Sequence, residues 1–173
     1  MRYGAARIAP LLLILLLGCC LHHARVIGPV ETVKLVSKDG RETIEVKAKI
    51  DTGAYSSSID ESLAIKLGYG DAIEYYRSFG VEGPLTREEV RRLREGGIKE
   101  RLKKHPDISD AVFVYSANGV TLRIKIPLTF YLDGVRIESE VTVARRSWLK
   151  YPMIIGRRDL KGFLVNPSGE VER

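Results

Sequence analysis

Apolar and polar residues alternate along most of the chain after residue 30, as they do in half-buried β-strands. Asp-Gly or Asn-Gly pairs between β-branched runs favour tight hairpins, and they occur at 38–41, at Asn118-Gly119 and at Asp133-Gly134. The predicted strands are 32–37, 43–50, 112–116, 120–131 and 135–144. The pattern therefore predicts a mainly β domain.

A helical pattern interrupts these strands twice. Asp60 stands where it can cap a short helix over 61–67 that stops at Gly68. Thr86-Arg87-Glu88-Glu89 has the form of a capping box that opens a second helix through about residue 94. Gly96-Gly97 breaks that helix, and 98–104 resumes it before Pro106. These signals predict a helical insertion at about 84–106.

The predicted insertion is basic. Residues 86–105 contain eight Lys or Arg and four Asp or Glu, a net charge of +4. The chain carries +6, of which Arg2 and Arg7 supply two, so the insertion accounts for the rest. One interpretation is an arm that lies on an anionic membrane, on a polyanion or over a cleft as a lid; the other is a solvated helix. No nucleic-acid motif is present, and we expect no nucleic-acid partner.

Residues 1–24 are typical of an export signal. Arg2 and Arg7 precede an apolar run at 8–17, which is too short to span a bilayer comfortably and ends in Gly18-Cys19-Cys20. The sequence around Cys19 resembles a bacterial lipobox, in which Cys19 would be lipidated; a cleaved secretory signal and an uncleaved anchor are the alternatives. In each case we expect the domain at 30–173 to be extracytoplasmic, either membrane-tethered or secreted.

Cysteine and histidine are scarce in this domain. Cys19 and Cys20 are the only cysteines, and they lie in the export segment, which excludes a disulfide, thiol catalysis or a cysteine zinc site within the domain. His22 and His23 border the signal, which leaves His105 as the one domain histidine. Because a catalytic zinc needs three protein ligands, we expect neither a metal nor another cofactor.

Asp51-Thr52-Gly53, directly after a predicted strand, is the candidate site of chemistry. Gly53 lets the backbone turn sharply and leaves the Asp51 carboxylate exposed, although the same tripeptide is also ordinary turn chemistry. About a hundred residues later, 151–156 form an apolar strand that ends in Gly156 and precedes a segment able to start a helix.

These two segments resemble the retropepsin-like aspartic peptidases, most closely the small prokaryotic family named ATP-dependent zinc protease. The residues that carry the resemblance are 47–54, 146–158 and 163–167. It implies a single-lobe acid-protease barrel in which Ile155 and Gly156 support the loop that carries Asp51. Arg145 departs from the family, which usually has an acidic residue there. The sequence has no His-Glu-x-x-His helix and no phosphate-binding loop that would explain the family's name.

Peptide hydrolysis by carboxylates needs two of them in close contact, sharing one proton. The chain supplies one Asp-Thr-Gly, so we expect a homodimer that places Asp51 beside its mate. The resemblance implies that Thr52 supports this dyad by hydrogen bonding across the interface and that Ala54 keeps the site uncrowded. Asp159 is the same-chain alternative, unless it caps a helix or pairs with a neighbouring arginine.

Further residues are candidates for substrate binding. Two follow the acid loop and three are arginines able to hold a carboxylate, unless they serve as surface charge: Tyr55, Ser56, Arg146, Arg157 and Arg158. Trp148 and Tyr151 are expected in the core or at an interface. The predicted function is an exported aspartic endopeptidase; the alternative is a non-catalytic module of the same fold that binds a peptide, a cell-envelope component or a partner protein.

Overall fold

A computed structural model of the chain describes residues 25–116 and 119–169. The predicted export signal, including Cys19, lies outside the described residues, as does Asn118 of the predicted Asn-Gly turn. Within the described part, no helix has both the length and the apolar character needed to cross a membrane.

The structure contains nine strands and a group of short helices in its described ranges. The strands are β1 (Arg25–Ile27), β2 (Val30–Val36), β3 (Thr43–Asp51), β4 (Ser58–Asp60), β5 (Asp110–Ser116), β6 (Gly119–Leu132), β7 (Val135–Ala144), β8 (Met153–Gly156) and β9 (Phe163–Val165). The helices are α1 (Glu61–Ala64), α2 (Gly70–Arg77), α3 (Arg87–Glu95) and α4 (Ile98–Leu102), with a π-helical turn at Ile65–Tyr69 and a 3-10 turn at Arg157–Asp159.

Six strands close into a barrel. The order is β2-β3-β8-β4-β7-β6, and β6 pairs with β2 at Leu35↔Phe130 to complete the ring. β5 is outside this ring. It pairs with the first half of β6, on the edge opposite β7. This is the mainly β, single-lobe retropepsin-like barrel that the sequence predicts, and the helices lie together between β4 and β5.

The barrel is filled by alternating side chains, as the pattern predicts. On β6 the even-numbered residues from Leu122 to Leu132 are buried, with Phe130 fully enclosed, while the intervening residues are at least partly exposed. Asp133 and Gly134, between β6 and β7, have φ angles of 49° and 74°. Two successive left-handed residues define the tight hairpin that Asp-Gly favours, so this prediction is confirmed.

The helical part is longer than the predicted insertion. Asp60 caps α1 by accepting from Ser62 N at 2.9 Å, and Thr86 and Glu89 form the predicted capping box. The chain does not leave the helical layer at Gly68, however. Gly68 has a φ of 95°, which only kinks the path, and α2 then buries Ala72 and Ile73.

Two short strands at the ends of the described chain form a separate sheet. β1 and β9 are parallel, with Val26 opposite Leu164. Ile27 is buried and the Pro29 carbonyl accepts from Ile50 N at 2.9 Å, which joins this small sheet to the end of β3. β1 therefore packs with the end of the described chain beside β3.

The predicted support of the acid loop by a second strand is also present. β8 runs parallel to β3, with Ile155 opposite Ile50 and Gly156 opposite Asp51. A Cβ on Gly156 would lie 2.5 Å from the carbonyl carbon and 2.7 Å from the oxygen of Ser56. Only glycine allows the backbone of β8 to pass this close to the loop that follows Asp51.

We expect Gly156→Ala to lower the free energy of unfolding by about 2–3 kcal/mol, because the added methyl group overlaps a backbone rather than a movable side chain. Gly169→Ala is the matched control, since a Cβ there would meet no atom within 4 Å. Denaturant unfolding of both variants at one fixed protein concentration checks this. Equal stability of the two variants would show that β8 does not constrain the loop.

Candidate active site

Asp51 is the last residue of β3, and the chain turns immediately after it. Its Oδ1 atom accepts from Gly53 N at 3.0 Å and from Ala54 N at 3.1 Å. A Cβ on Gly53 would lie 3.2 Å from the same Oδ1, so glycine also keeps this carboxylate uncrowded. Among the described residues, no hydrogen bond to Oδ2 is found. One oxygen is thus fixed by backbone amides while the other is available.

The loop after Asp51 is fastened to the segment after β8. Arg157 N donates to Ala54 O and Arg158 N donates to Tyr55 O, both at 3.0 Å. Thr52 and Gly53 at the tip are exposed. These hydrogen bonds fix the acid loop to the segment after β8, while the tip of the loop faces solvent.

A buried polar contact reinforces the same junction. Ser57 is fully buried; its hydroxyl accepts from Gly156 N at 3.1 Å and donates to an Asp159 carboxylate oxygen. Asp159 is also buried and pairs with Arg158 Nε at 3.5 Å. Asp159, the same-chain alternative to a dimer, is thus engaged in structural contacts, and no hydrogen bond joins it to Asp51 in the described part of the chain.

Arg146 is a half-buried arginine in the segment after β7. Its backbone N–H donates to Asp60 Oδ2 at 2.6 Å, so the N-cap of α1 also holds the segment after β7. Burial, and then the like charge of Arg123, lower the pKa of Arg146, while Asp60 and Asp51 act in the opposite sense. A guanidinium with a lowered pKa is still a cation at neutral pH.

Asp60 is held as a carboxylate by its neighbours. Burial alone would raise its pKa, but hydrogen bonds from the Ser62 hydroxyl, Arg146 N and Ser62 N outweigh burial and leave the pKa of Asp60 below its ordinary value. A charged Asp60 therefore holds the backbone of Arg146 at the N-terminus of α1.

The other predicted substrate-binding residues have separate surroundings. Tyr55 is exposed, and the Arg157 guanidinium lies 5.6 Å from the centre of its ring. The backbone of Ser56 packs directly against Gly156. Arg158 donates to Ser139 Oγ at 2.8 Å and to Glu140 O at 2.5 Å, which ties it to β7. The arginines of the two segments do not form one cluster.

Arg145, which stands where the family usually has an acidic residue, belongs to a group of ion pairs. Arg145 contacts Glu82 at 2.9 Å and Glu61 at 3.5 Å, and Arg77 pairs with the same two carboxylates. The basic side chain at 145 is therefore balanced by two acids from the helical part. Trp148, three residues on, is 72% exposed, so its expectation as a core residue is wrong; its role at an interface stays a prediction.

The basic insertion lies against the β5–β6 hairpin. The Arg94 guanidinium is 5.1 Å from the centre of the Phe113 ring and donates to Tyr115 Oη at 3.0 Å. Ile98 and Leu102 of α4 are buried. In the described ranges, no group of three or more histidine, cysteine or acidic side chains is arranged to hold a metal ion.

Two residues of this region have roles that the sequence did not predict, since Ser57 was expected, with Ser56 and Ser58, only as a residue that could line the cleft. Ser57 occurs in a run of three serines, where nothing separates a buried hydroxyl from exposed ones. Arg123 stands at a polar position of an alternating strand, which is typical of a solvent-facing residue. The turn from β3 into β4 buries Ser57, and the separation of β6 from β7 leaves Arg123 half-buried.

No protein-family model matches the chain, and no curated protein matches it. It is similar to the solved structure of a Legionella pneumophila protein of unknown function (DUF785), at 17% identity over 84% of this chain and 95% of that one, with a TM-score of 0.43. The simian foamy virus protease is similar at 14% identity over 76% of this chain and 91% of its own, with a TM-score of 0.38.

The retroviral protease-like domain of Ddi1 from Leishmania major is similar at 17% identity, over 76% of this chain and 75% of that one, with a TM-score of 0.37. At such low identities and TM-scores these likenesses carry no argument about activity. The strand order and the closure of β2 on β6 define the fold.

Proposed function

We propose that this protein is an aspartic endopeptidase whose catalytic dyad forms when two copies place their Asp51 residues side by side. The observation that carries the proposal is the environment of Asp51. Its Oδ1 accepts hydrogen bonds from two backbone amides, and its Oδ2 has no partner among the described residues. β8 pairs with β3 directly beside the loop, with Gly156 opposite Asp51.

The proposed chemistry follows from two carboxylates in contact. Two like charges a few ångströms apart do not both ionise, so the pair shares one proton. The ionised Asp51 activates water as a general base, and the protonated one polarises the carbonyl of the scissile peptide bond. Gly53 N and Ala54 N orient each carboxylate, so little reorganisation is needed when the substrate binds.

The need for a second copy follows from how the other acids are engaged. Asp159 takes hydrogen bonds from Ser57 and pairs with Arg158, and Asp60 caps α1 and holds Arg146. Neither is available as a partner for Asp51. A two-fold symmetric dimer supplies the missing carboxylate from the same residue of the second chain.

The surface near the end of β3 supports such a dimer. Val26 and Leu164, opposite each other in the small β1–β9 sheet, are 44% and 58% exposed. This sheet is joined to β3 one residue before Asp51 through Pro29 and Ile50. Tyr55, beyond the acid loop, is 64% exposed. Burial of these apolar groups between two copies would stabilise the arrangement that forms the dyad.

We further infer membership of the family named ATP-dependent zinc protease. The segments that carry the resemblance, 47–54 and 146–158, lie together in this protein because β3 pairs with β8. A residue pattern shared in two adjacent segments supports a common site more strongly than either segment does alone. Arg145 marks this chain as a divergent member whose ion pairs with Glu61 and Glu82 replace the family's acid at that position.

Cleavage of a mixed peptide library at acidic and neutral pH tests the function. We expect the wild type to cleave and Asp51→Asn to lose at least about 1,000-fold in kcat/KM, because an amide neither ionises nor shares the proton. Asp71→Asn is the matched control, since Asp71 is an exposed residue in the first turn of α2 and should leave cleavage unchanged.

Two results would reject the peptidase. One is cleavage by Asp51→Asn at the wild-type rate, and the other is no cleavage by the wild type at either pH. The second result would leave the non-catalytic binding module as the function of this fold.

We also propose that the protein is exported and tethered to a membrane through a lipidated Cys19. The support is the arrangement of basic, apolar and small residues at 1–20. Mass spectrometry of the mature amino terminus is expected to give a diacylated chain that begins at Cys19. An unmodified terminus downstream of Cys20, or an intact Met1, would reject lipidation in favour of secretion or an uncleaved anchor.

A further inference from the structure

A cavity of about 380 Å³ lies where β6 and β7 separate. The two strands pair only as far as Lys125↔Thr142. Beyond that point β7 turns to β4, with Ala144 opposite Asp60, while β6 continues beside β5. The helical part and the segment after β7 cover the gap, and they complete the lining of the cavity.

The walls of this cavity are mainly apolar. They are formed by Ile73 of α2, Leu122 and Ile124 of β6, and Val143 of β7. Trp148 stands at the rim with most of its surface exposed. An apolar group that entered the cavity would cover part of the exposed indole of Trp148, which is a favourable exchange with water.

Tyr76 adds a neutral polar group to the wall. Its hydroxyl donates to Leu122 O at 2.6 Å. Burial, and then the charges of Glu82 and Glu61, raise the pKa of Tyr76 to about 12. The side chain is therefore uncharged at neutral pH, and its proton already has an acceptor in the strand.

The acidic groups of the lining are balanced. Glu61 and Glu82 each contact both Arg77 and Arg145, which gives two acids and two bases in one group. These pairs leave no net negative charge to repel an anion. Their arrangement also ties α2 to the segment after β7, because Arg77 ends α2 and Arg145 directly follows β7.

Arg123 is the unbalanced charge. Arg123 lines the cavity and its Nε donates to Thr121 Oγ1 at 3.1 Å, but no carboxylate of the described residues pairs with it. Burial lowers the pKa of Arg123, although its guanidinium stays a cation. The like charge of Arg146 lies close by, and Arg146 Nε is buried without a hydrogen-bond partner in the described ranges. Two half-buried cations that repel each other are stabilised by an anion.

We propose that this cavity binds an apolar group that carries one carboxylate, with the carboxylate on Arg123 and the apolar part against the exposed indole of Trp148. The occupant to which we commit is the carboxyl-terminal residue of a peptide. A carboxyl-terminal residue carries its carboxylate and its side chain on one Cα, so a single residue supplies both groups. The electrostatic coupling of Arg146 to both Arg123 and Asp51 supports an orientation in which the anchored chain extends toward Asp51. As a substrate subsite the inference rests on the proposed peptidase; the binding itself does not.

The single tryptophan of the chain lines this cavity and reports on its occupation. Tryptophan emission of the full-length protein is titrated with three peptides: acetyl-Ala-Ala-Phe, its carboxyl-terminal amide, and acetyl-Ala-Ala-Glu amide. The first should shift the emission to shorter wavelength and bind at least about 10-fold more tightly than either of the others, because it alone both covers the indole of Trp148 and pairs with Arg123. Equal binding of the free acid and its amide would overturn the proposal.

Variants assign the carboxylate to its arginine. We expect Arg123→Gln to weaken acetyl-Ala-Ala-Phe by about 10-fold and to leave the amide unchanged, which also shows that the variant is folded. Arg136→Gln, which removes an exposed arginine paired with Glu138 on the far end of β7, should change neither affinity. Loss of discrimination in both variants, or in neither, would contradict a role for Arg123.

Two further measurements complete the test. One distinguishes a peptide end from a fatty acid as the ligand, and the other distinguishes failure of the binding site from failure of the proposed peptidase. Decanoate carries the same chemistry in a lipid, and tighter binding of decanoate than of acetyl-Ala-Ala-Phe would overturn the assignment to a peptide end. The titration is repeated with Asp51→Asn, which should bind like the wild type without cleaving. Binding with no peptidase activity in either chain supports the site while rejecting the proposed function; activity without carboxylate-dependent binding does the reverse.

Discussion

The close passage of β8 against the acid loop is the constraint on which the rest of this structure depends. A parallel strand that ends opposite Asp51 leaves no room for a side chain, so Gly156 lies directly against the backbone of Ser56. The same crossing brings Gly156 N within hydrogen-bonding distance of the Ser57 hydroxyl, which in turn donates to Asp159. Its position beside this crossing distinguishes Asp51 from the other carboxylates of the described residues.

The barrel was predictable from sequence because its signals are local. Asp133-Gly134 specifies a tight hairpin, and the alternation on β6 specifies which face is buried, so strand pairs follow from short segments. The parallel pairing of β3 with β8 joins residues about a hundred positions apart; the resemblance of the motifs implied it, whereas alternation alone would not have. α2 was missed because Gly68 and Gly70 are typical of a helix end, whereas buried packing of Ile73 overrides them.

The site was predictable in part. What could not be predicted is which charged side chains pair with one another. Asp51 and its glycine follow from a motif, but whether an arginine is paired, stacked or left alone depends on strands that meet only in the fold. Arg145 and Arg158 find partners within the described chain, Arg157 stacks on Tyr55, and Arg123 forms no ion pair with a described carboxylate. Four similar side chains in the sequence thus acquire different roles in the structure.

Mixing of active and inactive chains tests most directly whether Asp51 works as half of a shared site. Wild type and Asp51→Asn are unfolded together, refolded in equal amounts at constant total concentration, and assayed for peptide cleavage. If a dimer supplies the dyad, random pairing leaves about one quarter of the wild-type activity, because every mixed dimer lacks one carboxylate. Activity of about one half would mean that each chain acts alone, and would contradict the account.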